Sequence, residues 1–137
     1  MSTSDYGSTS GSDSRESRAL MERLMTFDLH SEIDRLRSED QWNDGDRNSR
    51  MLAKDVDFRV LLTVLRSGAT LDENDGDART SLQVIGGSAR LETASGSAEL
   101  GAGQIAVVDA GQPWSFTAKE DCAVLATLAW PREKAGV

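Results

Sequence analysis

The chain is poor in the residues from which most metal centres and nucleic-acid interfaces are built. Its 137 residues contain one histidine, His30, and one cysteine, Cys122. A lone cysteine excludes an intramolecular disulfide and any zinc site made of several thiolates. Basic residues are also scarce: 15 Lys and Arg stand against 23 Asp and Glu, a formal net charge of -8. Nucleic-acid affinity comes largely from Lys and Arg displacing counterions, so this balance argues against nucleic acid and against anionic membranes as partners. Apolar residues make up only 38 % of the chain, and no apolar run approaches the roughly 18 residues of a membrane span. The opening "MSTSDYGSTSGSDSRES" has neither a basic start nor an apolar segment, so it reads as no secretory signal, and a cytoplasmic location is expected.

That opening is also rich in Ser, Asp, Thr and Gly, with little to bury against the entropy of ordering it. It predicts a disordered tail over residues 1–17. Amphipathic helical spacing follows. "ESRALMERLM" groups Leu20, Leu24 and Met25, and "DLHSEIDRLRSE" spaces Leu29, Ile33 and Leu36 at i, i+4, i+7. "WNDGDRNSR" then reads as a turn.

After Met51 the pattern becomes that of strands. "FRVLLTVLRSG" is a β-branched apolar run ended by glycine, and "TSLQVIGG" alternates. "SARLETASGSAEL" is two alternating runs joined at Ser95-Gly96, a hairpin turn. "QIAVVDAG", "WSFTA" and "CAVLATLAW" bring the total to about seven or eight short strands with no intervening helix. Such spacing predicts an antiparallel sandwich or barrel.

Several short motifs fail on context. An EF-hand loop starting at Asp72 needs Gly at its sixth position and Glu at its twelfth, where this chain has Asp77 and Gln83. "LGAGQIA" contains G-x-G but leads into a strand, which removes the dinucleotide reading. A His30–Cys122 nucleophile pair lacks a third, orienting group. Cys122 opens an apolar strand and reads as a small buried hydrophobe.

One spacing does carry weight. Gly68 is followed after five residues by Asn74, then Gly76, Thr80 and, six residues on, Gly87. Gly103 is followed after five residues by Asp109, then Gly111, Trp114 and Ala118. This glycine frame resembles the two motifs of the cupin family of small jelly-roll barrels. The resemblance spans roughly residues 52–131. It implies an all-β fold, a cupin-like jelly-roll barrel, preceded by two short N-terminal helices and the tail. The expected organisation is the tail over 1–17, a helical segment over 18–50, the barrel over 51–132 and a C-terminal tail over 133–137.

The family's metal-binding positions, three histidines and a glutamate, correspond here to Asn74, Gly76, Thr80 and Trp114. An amide is a weak metal ligand, glycine offers no side chain, and an indole N–H has no lone pair to donate. The resemblance therefore implies a barrel re-packed without metal or other cofactor and without a catalytic residue. Asn74, Gly76, Thr80, Trp114 and, less directly, Gln83 would lie nearest a pocket. The expected function is small-molecule binding or an interaction role. Two alternatives stay open: an enzyme, either metal-dependent through Asp72, Glu73, Asp75 or Asp77 or metal-free like some sugar-nucleotide epimerase cupins, and a structural partner protein. The resemblance also implies a homodimer, since cupin barrels often pair through an outer sheet face and "FRVLLTVL" is apolar on both faces.

Overall fold

The computed structural model describes residues 21–73 and 77–131. Helix α1 (Leu29–Leu36) is the second of the two predicted helices. Asp28 caps it by accepting the Ser31 N–H at 3.3 Å, and Glu32 in the first turn and Arg35 in the last suit the helix dipole. Leu29, Ile33 and Leu36 form its apolar stripe. Of the first predicted helix, residues 21–25 are not helical. The rest of it, together with the tails expected over 1–17 and 133–137, lies outside the described residues.

The other helix, α2 (Asp40–Asp44), falls in the stretch read as a turn. Buried Trp42 anchors it. The guanidinium groups of Arg66 and Arg37 lie 4.0 and 5.5 Å from its ring centre, and Arg66 Nη2 donates to its carbonyl oxygen at 3.0 Å. Cation–π attraction thus fixes a turn of helix that propensity alone would not form.

The strands are β1 (Arg47–Asp55), β2 (Phe58–Leu65), β3 (Thr70–Glu73), β4 (Arg79–Gly86), β5 (Ser88–Thr93), β6 (Gly96–Gly101), β7 (Ile105–Val108), β8 (Trp114–Ala118) and β9 (Cys122–Ala129). They form two antiparallel sheets, β1-β2-β9-β4-β7 and β3-β8-β5-β6. The fold is the predicted all-β jelly roll. Two of its strands escape the sequence reading: β1, whose first residues sit in the supposed turn, and the short acidic β3.

Alternation along the strands divides the apolar residues between two cores. Leu65, Leu82, Val84, Leu91, Phe116 and Val124 fill the space between the sheets. Val60, Leu62, Val64 and Leu125 face the other way and meet α1 and α2 through Ile33, Leu36 and Trp42. The two apolar faces of β2 are therefore both covered within one chain, one by the opposing sheet and one by the helices. Polar groups fasten the helical layer. Arg50 of β1 pairs with Glu32 of α1 at 2.7 Å, both side chains being largely buried. Asn48 donates to the Leu36 carbonyl and to Glu39, each at 2.9 Å. No described helix is long and apolar enough to cross a membrane.

Candidate functional site at the barrel mouth

The glycine frame has a backbone cause. Gly68, Gly87, Gly103 and Gly111 all adopt φ between +83 and +90°, a region that side chains disfavour. Gly111 turns the chain between β7 and β8 at the end of the barrel that holds Thr80 and Trp114, whereas Gly68, Gly87 and Gly103 lie at the opposite end, beside the end of β8, the start of β9 and the end of β4. The register places the start of β4 beside the ends of β7 and β9, and the start of β8 beside the end of β5.

Thr80 lies on the inner face of β4 at this mouth, opposite Val108 on one side and Leu128 on the other. It is 1 % exposed, and its hydroxyl has no hydrogen-bond partner. Trp114 opens β8 on the inner side with Phe116 and Ala118 and is 8 % exposed, packed in the core between the sheets. Its register partners are Thr93 and Glu73. Thr80 and Trp114 are thus brought to the same end of the barrel. Gln83 is not. It pairs with Leu125 and Ile105 on the outer face of the sheet, so strand alternation turns it away from Thr80. Asn74 and Gly76 lie outside the described residues.

A family-type metal does not fit this site. A neutral hydroxyl and an indole stand at two of its ligand positions. Among the described residues, no group of three His, Cys, Asp or Glu side chains is placed to hold an ion. The described carboxylates among the alternatives, Asp72 and Asp77, belong to no such group either. Leu71 packs inward, so Asp72 points outward, where it is exposed and accepts a bond from Ser115 Oγ at 3.4 Å. Asp77 is exposed, and Asp75 lies outside the described residues. Asp109, at the rim, is held by Arg79 at 2.6 Å, and that bond sets its carboxyl below the usual carboxylate range.

The two candidate nucleophile partners are kept apart by burial: His30 is exposed on α1, whereas Cys122 is 0 % exposed. Desolvation pushes the Cys122 thiol up to about 11. Such a thiol is protonated at neutral pH and makes a poor nucleophile.

A feature not anticipated from the sequence lies at the same end of the barrel as Thr80, on the far side of its register partner Val108. A cleft of about 370 Å³ opens between the β5–β6 hairpin and β7, at the seam between the two sheets. Thr93, Ser95, Ser97, Asp109 and Gln112 supply polar groups, and Leu91 and Val108 its apolar floor. Ser95 Oγ donates to Gln112 Oε1 at 2.9 Å, tying the hairpin turn to the loop before β8. The volume falls in the small-ligand range of roughly 300–1,000 Å³. The available signal was the clustering of hydroxyl and amide residues in "TASGS" and "DAGQP", two turns that end at the same mouth.

No protein-family model and no curated protein matches the chain. Solved structures do. A conserved protein of unknown function from Streptococcus pyogenes superposes with a TM-score of 0.65 at 20 % identity, covering 82 % of this chain and 93 % of that one. A cupin-2 domain protein from Shewanella frigidimarina gives 0.59 at 18 %, over 78 % and 95 % of the two chains. Salicylate 1,2-dioxygenase from Pseudoaminobacter salicylatoxidans gives 0.65 at 17 %, over 75 % of this chain but only 34 % of the enzyme. At these identities the likeness is one of fold, and the fold hosts enzymes among other proteins. Together with the glycine frame and the two-sheet topology, it establishes that this chain has the cupin fold.

Proposed function

We propose that the chain is a metal-free, non-catalytic cupin-fold domain that binds a small molecule at the barrel mouth, with Thr80 and Trp114 nearest the site. The observation that carries this reading is the polar-lined cleft at the same end of the barrel as Thr80 and Trp114, lined in part by Val108, the register partner of Thr80. Asn74 and Gly76 belong to the proposed site by sequence position. Native mass spectrometry of untagged protein tests both halves together. The expected result is no stoichiometric transition metal and a bound organic mass, or one acquired from a metabolite mixture. One tightly held metal per chain would overturn the reading. Failure to take up any small molecule would favour the structural-partner alternative.

A homodimer remains part of the proposal, on a different surface from the one the sequence pointed to. The outer face of β2 is occupied by α1 and α2. Among the edge strands, β1, β3 and β6 carry charged residues, whereas β7 carries none. Its Ile105 and Val107 are 55 % and 68 % exposed. An uncharged apolar edge favours strand pairing with another chain. Sedimentation analysis of wild type and Val107→Lys tests this: the wild type should be a dimer and the variant a monomer.

A further inference from the structure

Two buried polar atoms at the mouth are left without partners, and they lie on one row of the larger sheet. Thr80 Oγ1 and Arg59 Nε each have no hydrogen-bond partner. Leu128 of β9 stands opposite Arg59 of β2 and also opposite Thr80 of β4. Directly paired residues share a face, and Leu128 packs on the core between the sheets, so all three residues belong to the inner side. Facing Cα atoms on neighbouring strands are about 4.5–5.5 Å apart. The Arg59 and Thr80 backbones are therefore separated by roughly 10 Å with Leu128 between them, a distance that an arginine side chain and a ligand of a few heavy atoms lying over Leu128 can span.

Trp130 fixes the arginine. Its backbone N–H donates to the Asp57 carbonyl at 3.0 Å, which continues the β2–β9 register one residue beyond Phe58 and Ala129 and puts the indole on the same side as Arg59. The Arg59 guanidinium sits 4.9 Å from the indole centre. A stacked guanidinium has its plane set and its in-plane donors left for acceptors. Both orphan groups can donate, and what they lack is an acceptor.

We propose that Arg59 and Thr80 together hold a carboxylate-bearing small molecule. The acid group lies on the Arg59 guanidinium, and the Thr80 hydroxyl donates to a second acceptor of the same molecule. One planar fork matches the two oxygens of a carboxylate. A phosphate dianion would bring more negative charge to a chain already at -8. This rests on the small-molecule reading above, and the experiment separates the two.

Tryptophan fluorescence of the full chain is titrated with acetate, succinate, citrate and benzoate, with the corresponding neutral amides, and with inorganic phosphate, all at fixed ionic strength. At least one carboxylate should give a saturable change, with its amide binding at least tenfold more weakly. Arg59→Gln should weaken that binding tenfold or more and Thr80→Val several-fold, both variants keeping the wild-type circular dichroism spectrum. If Arg59→Gln fails to fold, Arg59→Lys replaces it and should give an intermediate loss, because charge is kept and the fork is not. An amide that binds as well as its acid leaves the small-molecule reading standing and overturns the carboxylate. Preference for phosphate also overturns it. No response to any probe overturns the carboxylate proposal, water then being what satisfies the two atoms, and leaves the small-molecule reading to the native mass spectrometry above.

Discussion

Gly87 packs directly against the backbone of Asp121: a Cβ at this position would lie 2.2 Å from the Asp121 carbonyl oxygen and 2.9 Å from the Cys122 Cα. The contact joins the β4–β5 turn to the start of β9 and explains why the motif needs glycine there. Gly68 makes a useful contrast, since its φ of +90° is equally unsuited to side chains but nothing lies within 4 Å of the place a Cβ would take. Gly68→Ala should therefore cost only the conformational penalty, on the order of 1 kcal/mol. Gly87→Ala adds a backbone overlap and should cost about 3 kcal/mol or more. Urea denaturation of both variants checks the pair. Equal losses would show that the turn conformation alone, and not the contact with Asp121, dictates glycine at position 87.

What could be read from the sequence follows from whether a feature is local. The frame glycines were legible because each answers to its own backbone angle. Thr80 and Trp114 were legible because they stand at fixed spacing from that frame. β1 was missed because its outward residues Asn48 and Arg50 are polar, satisfied by α1 and not by water, so no apolar alternation marks the strand. Arg59 was invisible for a related reason: its place beside Thr80 depends on two strand registers meeting at Leu128. The cleft likewise needs two turns distant in sequence. The apolar pattern of β2 was sound, but it recorded a helical layer from the same chain as well as the barrel core.

Thr80→Val should stabilise the unliganded protein. Valine nearly matches threonine in shape and removes a hydroxyl that is 1 % exposed and has no partner. A buried, unsatisfied polar group costs roughly 1–3 kcal/mol, so a gain of about 1 kcal/mol is expected. Thermal and urea melts of ligand-free protein measure it. A loss of similar size would mean that the hydroxyl is already satisfied in the free protein.

Asn48 should matter more than its position on an edge strand suggests. Its amide nitrogen donates to the Leu36 carbonyl at the end of α1 and to Glu39 just before α2, while its oxygen accepts the Ser49 N–H at 3.0 Å. Helix-end carbonyls have no partner within the helix, and apart from Asn48 the Leu36 carbonyl receives a long bond from the Glu39 N–H at 3.4 Å. Asn48→Ala should cost about 2 kcal/mol. Asn48→Asp should cost more, because it turns a carboxylate oxygen toward two acceptors. Equilibrium unfolding ranks the two, and equal costs would show that the contact with Leu36 and Glu39 contributes little.

Cys122 gives a prediction with a defined pH window. The thiol is closed off from solvent opposite Leu65, and burial raises it from an ordinary value of 9.0 to about 11, with Glu120 adding to the rise and Arg37 opposing it. The folded state therefore favours the neutral thiol more strongly than the unfolded chain does. A group raised in this way contributes its full stability below pH about 9 and loses it as pH climbs to about 11. The loss across that window is roughly 2–3 kcal/mol. Tyrosine and lysine titrate there too, so the difference between the wild-type and Cys122→Ala stability curves is what isolates the thiol. That difference should be flat from pH 7 to about 9 and then fall in the direction of lower wild-type stability. Alkylation gives an independent check: at pH 8 iodoacetamide should react with Cys122 only as fast as the protein unfolds. Rapid labelling of the native protein at pH 8, or a flat difference curve to pH 11, would show that solvent reaches the start of β9 and that the core between the sheets is open at that point.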